Sequence, residues 1–377
     1  MNKRSIYLLS TGHLVTDLNQ GALPAMLPFL VASHGFTYAA AAGIIFAANI
    51  TSTIIQPIFG HAADRSSKAW LMPLSLLLAG SGIALIGLVE NYYLILLLAG
   101  ISGVGIAAYH PEAARRVNLS GGEQKAAAMS IFGIGGTLGF AIGPLYITSA
   151  LLWFDLRGSL FLLVPVSLVA ILIIKFLPNI HSATGLAAKK EQAEKEDAWR
   201  PFALLSLCVT VRSVMFFGLL TFIPLYWVNV LEQSKIAGGI ALSVMTIAGV
   251  LGNLVGGRLA DRIGNTRVLL SGFAMLVPLA PLLIWVGNPA IALLVLMPTG
   301  FAMMATYAPA VVLGQKYLPN HIGFASGVTL GIAVAAGGIA APLLGWVADI
   351  YGLVTVFSGI AFLPIVNIVI AYFLPEP

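Results

Sequence analysis

Charge is what this 377-residue chain has least of: Asp, Glu, Lys and Arg make up 9% of it, against roughly 25% in an average soluble domain. With 59% of its residues hydrophobic, a soluble fold of this size would have too little polar surface to face water. Cysteine is nearly absent. The one thiol, Cys208, lies inside an apolar stretch, which excludes a disulfide framework and a Cys-based metal site. No Ser/His/Asp set, metal-ligand spacing or phosphate-binding glycine loop occurs, so neither an enzyme nor a bound metal or cofactor is expected. The net charge of +5 is not gathered into a basic patch, which speaks against a nucleic-acid partner.

What the chain does have is about a dozen apolar stretches near 20 residues long, the length a helix needs to cross ~30 Å of hydrocarbon. They predict an all-α membrane protein of 12 transmembrane helices, running from 5–31 to 353–374, with the tenth at 290–315 and the eleventh at 322–346. The basic start MNKRSIYLL leads into an apolar run without a cleavage site, so it reads as a retained first helix. The most polar segment, KKEQAEKED, divides the chain into a six-helix bundle over 1–177, a cytoplasmic linker over 178–199 and a second bundle over 200–377. With both termini placed in the cytoplasm, every Lys and Arg except Arg157, Lys235 and Arg212 falls in or beside a cytoplasmic segment, the pattern of a multi-pass inner-membrane protein.

The halves repeat. GHAADR, Gly60 to Arg65, recurs as GRLADR, Gly257 to Arg262; Tyr109 and Pro111 recur as Tyr307 and Pro309, and Gly133, Gly139 and Pro144 as Gly331, Gly337 and Pro342. Two parallel six-helix repeats imply two pseudo-symmetric bundles around a central site near the midplane. In each copy of the loop motif, glycine (Gly60, Gly257) permits close helix contact. Its acid (Asp64, Asp261) can meet a helix N-terminus, and Arg65 or Arg262 fixes the loop at the cytoplasmic face, together a conformational gate. GIGGTLGFAIGP, Gly133 to Pro144, puts small residues on one face, with Gly139, Gly143 and Pro144 read either as part of that gate or as pure packing.

An ionisable group at membrane depth costs several kcal/mol unless paired or hydrated, and so points to a pathway. Helix 1 carries His13 and Asp17 one turn apart, with Gln20 on nearly the same face; helix 7 carries Arg212. Asp17 reads as a proton-coupling carboxylate, with His13 as relay or simple donor, and otherwise as a fixed partner of His13 or Arg212. Arg212 suits an anionic substrate, since its guanidinium fork matches carboxylate or phosphonate oxygens. At the end of helix 4, His110 and Glu112, with Arg115 and Arg116, read as an inner gate or a proton exit, and otherwise as a solvated interfacial cluster. Aromatic candidates for the substrate wall are Tyr109, Phe216, Phe217, Tyr226, Trp227 and Tyr307.

GHLVTDLNQG (Gly12 to Gly21), QPIFGHAADR (Gln56 to Arg65) and the stretch from Tyr109 to Pro144 together resemble the fosmidomycin-resistance family of the major facilitator superfamily. The resemblance is best in the N-terminal half. It implies proton-driven efflux of a small molecule, for the family's namesake an anionic phosphonate antibiotic. The matching positions are His13, Asp17, Gln56, Asp64, His110, Pro111 and Glu112. The superfamily's helix-4 motif normally has an arginine before a glycine; here Ala99 and Gly100 stand before Gly103, which removes any coupling through that arginine. The expectation is a proton-coupled antiporter, monomeric in the bilayer, exporting a small anionic or amphipathic compound by alternating access; proton-coupled uptake of an organic anion or metabolite is the alternative.

Overall fold

The computed structural model describes residues 2–65, 70–122, 124–180, 196–321, 324–325, 328–329 and 333–377; side chains at 57, 60–65, 118, 125–127, 177–180 and 333–334 lie outside the described set. Among the described residues there is no strand. The helices are α1 (Lys3–His34), α2 (Tyr38–Arg65), α3 (Leu71–Ile86), α4 (Tyr92–Gly121) and α5 (Lys125–Phe154). A 3-10 turn over Asp155–Leu162 leads into α6 (Leu163–Ile180). After it come α7 (Trp199–Asn229), α8 (Lys235–Ile263), α9 (Asn265–Trp285), α10 (Pro289–Ala305), α11 (Tyr307–Tyr317), α12 (Ala333–Tyr351) and α13 (Leu353–Tyr372). Among the described residues, α10 and α11 are two parts of one interrupted stretch. The interruption falls at Thr306, where Pro309 has no N–H for the Ala305 carbonyl, so the expected continuous helix 290–315 is broken.

Helix ends are marked by local chemistry. Asn91 accepts from the Leu94 N–H and Ser234 from the Ala237 N–H, while Asn288 caps a helix whose first residue is Pro289. Gly35, with φ of 67°, ends α1 in the left-handed region. Among the described residues, eight helical stretches are long and apolar enough to cross a bilayer, one of them the 49 residues Ala128–Phe176 that take in most of α5 and α6. The first helix is not among them, because His13, Asp17, Asn19 and Gln20 interrupt its apolar run.

Two compact units emerge: residues 1–35 with 43–190, and 36–42 with 191–377. The head of α2 thus belongs to the second unit and its remainder to the first. Lipid tails supply no hydrophobic drive between helices, so close backbone packing has to hold each unit together. In the first unit, α5 presents Gly135, Gly139 and Gly143 to the α1 carbonyls of Ser10, Leu14 and Leu18, one glycine per turn. Pro144 cannot donate to the Phe140 carbonyl, and Gly21 of α1 lies against that same oxygen. The seam is therefore built by the residues read above as gate or packing. In the second unit, Gly337 of α12 meets the Ser213 carbonyl of α7, the repeat-related contact.

The C-terminal tail is tied down as well. Glu376 accepts from the backbone N–H groups of Asn265 and Thr266 at 2.9 and 2.7 Å, capping α9, while the Tyr317 hydroxyl donates to the Pro375 carbonyl at 2.6 Å. Burial alone would raise the Glu376 pKa, but those N–H donors hold it below the usual carboxylate value. A lowered folded pKa gives stability that is present above the unfolded value of ~4.3 and lost as pH falls through the folded one. Glu376→Gln is thus expected to lower the thermal midpoint at pH 7 and to converge on the parent protein as the buffer is taken to acid, a difference that a melting series in detergent would read.

Candidate proton and anion sites

Three helices of the first unit build a cluster around Asp17. On α1, His13 and Asp17 share a face one turn apart, with His13 Nε2 3.2 Å from Asp17 Oδ2. From α4, His110 Nε2 lies 3.0 Å from Asp17 Oδ1, so the carboxylate has an imidazole on each oxygen. The third helix, α5, contributes backbone and space. Its Phe132 carbonyl lies 2.8 Å from His13 Nδ1, and the Phe132 ring stacks on the imidazole with centroids 4.1 Å apart. Gly136, one turn on, leaves the room: a Cβ there would overlap the His13 ring and stand 2.6 Å from Asp17 Oδ2. Side-chain exposures of 13%, 15% and 20% for His13, Asp17 and His110 leave the cluster reachable by small ions.

The carbonyl decides the tautomer. A carbonyl oxygen only accepts, so His13 Nδ1 must carry hydrogen. A neutral His13 would then turn the Nε2 lone pair toward a carboxylate oxygen, an unfavourable contact unless a proton lies between them. His110 meets no such demand, because its Nε2–H tautomer can donate while the ring stays neutral. Favourable hydrogen bonding between His13 and Asp17 thus calls for a proton on His13 Nε2. Sequence spacing gave no sign of such a cluster, since 93 residues separate Asp17 from His110; the three donor atoms nonetheless lie within 4.8 Å of one another, close enough to share one small cation.

Glu112 lies outside this trio. It is 1% exposed and accepts from Arg116 Nε at 2.6 Å, with Arg116 5% exposed, so the pair is a buried ion pair and not the solvated interfacial cluster considered from the sequence. Tyr109 is also placed differently from a substrate wall: fully buried, it donates its hydroxyl to the Leu9 carbonyl at 2.8 Å and fills the space that Gly12 leaves open. Gln20 is half-buried. The side chains of Gly60, Asp64 and Arg65 lie outside the described residues. Asp261 and Arg262 are exposed on the last turn of α8, and Gly257 has only the Ala308 methyl, 3.8 Å from where its Cβ would be.

The second unit holds the other intramembrane charge. Arg212 of α7 is 4% exposed and donates one long bond, 3.4 Å, to the Met303 carbonyl. The Tyr307 ring covers the guanidinium at 5.2 Å, and Nε has no partner among the described residues. Within its own unit, Asp17 is held by two imidazoles, and Arg212 by a carbonyl and a ring. Phe216 is half-buried against Phe217, while Tyr226 and Trp227 are core residues, 1% and 2% exposed, with Tyr226 packed on Phe357 at 4.4 Å. The residues that sequence reasoning missed are Phe132 and Gly136. Both lie in the glycine-rich run of α5, whose pattern signals close packing without saying which side chain the space serves.

Residues 9–342 match the model of the Major Facilitator Superfamily. Over 98% of its length the chain is 29% identical to the uncharacterised MFS-type transporter YfnC of Bacillus subtilis, and 26% identical to the fosmidomycin resistance protein of Escherichia coli, covering 92% of each. Among solved structures, a bacterial homologue of the human lysosomal transporter Spinster superposes with a TM-score of 0.83 at 13% identity, over 99% of this chain and 96% of the other. The nucleoside transporter NupG gives 0.79 at 16% identity, over 99% and 100%.

Proposed function

The chain belongs to the Major Facilitator Superfamily, and on that premise we propose that it exports a small anionic or amphipathic compound in exchange for protons by alternating access. The observation that carries this reading is the contact between His13 Nε2 and Asp17 Oδ2, which calls for a proton that the Phe132 carbonyl cannot supply. Loaded, the trio is electrically balanced. Unloaded, it keeps a carboxylate charge against a lone pair in a low-dielectric surround, a state that favours reloading from the more acidic side. His110 is the second arm of the same site and offers a route for the proton to leave.

In the second unit, Arg212 supplies the positive charge for an anionic substrate. Its Nε, unpartnered among the described residues, and its single long bond leave donor capacity that a carboxylate or phosphonate would satisfy, and the Tyr307 ring already covers the guanidinium. Proton and substrate compete through the conformations they favour, the linkage any exchanger requires. The repeated loop residues at Gly60 to Arg65 and Gly257 to Arg262 serve as the cytoplasmic gate. Both termini lie in the cytoplasm, and the monomer in the bacterial inner membrane is the working unit. The similarity to a fosmidomycin resistance protein makes a phosphonate the first substrate to try.

Inverted membrane vesicles provide the test. Labelled fosmidomycin is expected to accumulate when the vesicle interior is acidic, and to stop accumulating when an ionophore collapses the gradient or Asp17 is replaced by Asn. Accumulation that continues at the same rate without a gradient would overturn proton exchange.

A further inference from the structure

At the Asp17 cluster a proton is not the only cation that the geometry fits. His13 Nδ1 donates to the Phe132 carbonyl at 2.8 Å, so the Nε2 lone pair of a neutral ring is aimed at Asp17 Oδ2, 3.2 Å away. Metal-binding histidines take this arrangement: the far ring nitrogen donates to a carbonyl, which fixes the tautomer and turns the other nitrogen on the ion. The Phe132 ring, stacked on the imidazole with centroids 4.1 Å apart, holds its plane, and Gly136 keeps the space beside Nε2 and Oδ2 clear. His110 reaches the other carboxylate oxygen at 3.0 Å, edge-on to His13 with ring centroids 4.9 Å apart, and in its Nδ1–H tautomer it presents a second lone pair.

We propose that His13, Asp17 and His110 form a binding site for one divalent transition-metal ion of the Zn²⁺ class. Ligands about 2.0–2.1 Å from a tetrahedral ion lie about 3.3 Å from one another. The two nitrogen–oxygen separations here are 3.2 and 3.0 Å, and all three ligand atoms lie within 4.8 Å of one another, so the ion has only to draw the two rings together. Ligand type sets the class: two imidazoles and one carboxylate suit Zn²⁺ and its neighbours, whereas Mg²⁺ and Ca²⁺ take oxygen. The remaining coordination position is left to water, which the partial exposure of all three side chains admits. Glu112 is committed to Arg116 and the Tyr109 hydroxyl to the Leu9 carbonyl. Among the described residues no other three such groups meet; His321, on an exposed turn, has the single acid Asp197 at 2.8 Å. The expectation of no metal, drawn from ligand spacing along the chain, does not reach ligands 93 residues apart. An ion seated here takes the place of the proton between His13 and Asp17, which leaves to water, so the two exclude each other.

The site stands on the geometry of the trio and not on proton exchange, so its test needs neither a substrate nor a gradient, and either idea can fail alone. Purified full-length protein without a polyhistidine tag, stripped with a chelator, would be titrated with Co²⁺, whose visible spectrum reports coordination, and then challenged with Zn²⁺. One Co²⁺ per chain is expected, with the strong absorption of a four- or five-coordinate ion that Zn²⁺ removes by competition. His110→Ala and Asp17→Asn, on different helices, should each weaken Co²⁺ binding by at least about tenfold, and either stands in if the other does not fold. His321→Ala should leave it unchanged. A parent protein that binds no Co²⁺, an unchanged affinity in either ligand variant, or an equal loss in His321→Ala would overturn the site.

Discussion

Gly136→Ala is expected to abolish gradient-driven transport while leaving every ionisable residue in place. The added methyl cannot coexist with the His13 ring and Asp17 Oδ2 where they now stand, so either the imidazole turns away from the Phe132 carbonyl or α5 backs off from α1. The second course is resisted along the whole seam by Gly135, Gly139 and Gly143, each against an α1 carbonyl. The imidazole yields instead, and with it goes the contact that calls for a proton. Overpacking of this kind costs about 1–3 kcal/mol of stability. The loss of a charge-assisted contact should weaken proton binding by about tenfold to a hundredfold. Vesicle transport under an imposed pH gradient, beside a melting curve of the same protein, separates the two effects: a variant that melts a few degrees lower yet transports at the parent rate would show that His13 is not needed where it sits.

The second large effect should appear in the opposite sense for stability. Arg212→Met is expected to lose binding of an anionic substrate by about tenfold or more and yet to melt higher than the parent protein. A guanidinium that is 4% exposed, with one 3.4 Å bond and an unpartnered Nε, is poorly compensated for leaving water. Replacing such a buried charge by an apolar chain of similar volume removes its desolvation cost, which is why the variant is expected to melt higher. A residue kept for architecture would behave the other way, its removal lowering the melting point and leaving binding intact. Ligand-induced thermal shifts on both proteins, read with and without a phosphonate, give the two quantities in a single experiment.

The legible part of this molecule was what periodicity and membrane energetics fix. An all-helical membrane fold and the shared face of His13 and Asp17 follow from run length and the 3.6-residue turn. Three things did not follow. The break at Thr306 depends on whether a proline is absorbed or not, and Pro111 in the repeat-related helix α4 is absorbed. Tyr109 and Tyr226 carry the same polar tip as an exposed tyrosine, and only the backbone carbonyls of Leu9 and Ile284 that meet them place them in the core. Phe132 matters through its carbonyl and Gly136 through the atoms it lacks, neither of which is a side-chain signal.

The exchangeable proton between His13 and Asp17 is the centre of the proposal, and its release on substrate binding is the most direct measure of it. Purified protein in a weakly buffered detergent solution containing a pH indicator would be mixed with a phosphonate. Acidification approaching one proton per binding event is expected for the parent chain, and none for Asp17→Asn at saturating phosphonate. Phosphonate binding without acidification in the parent protein, or equal acidification in both, would contradict a proton held by this pair.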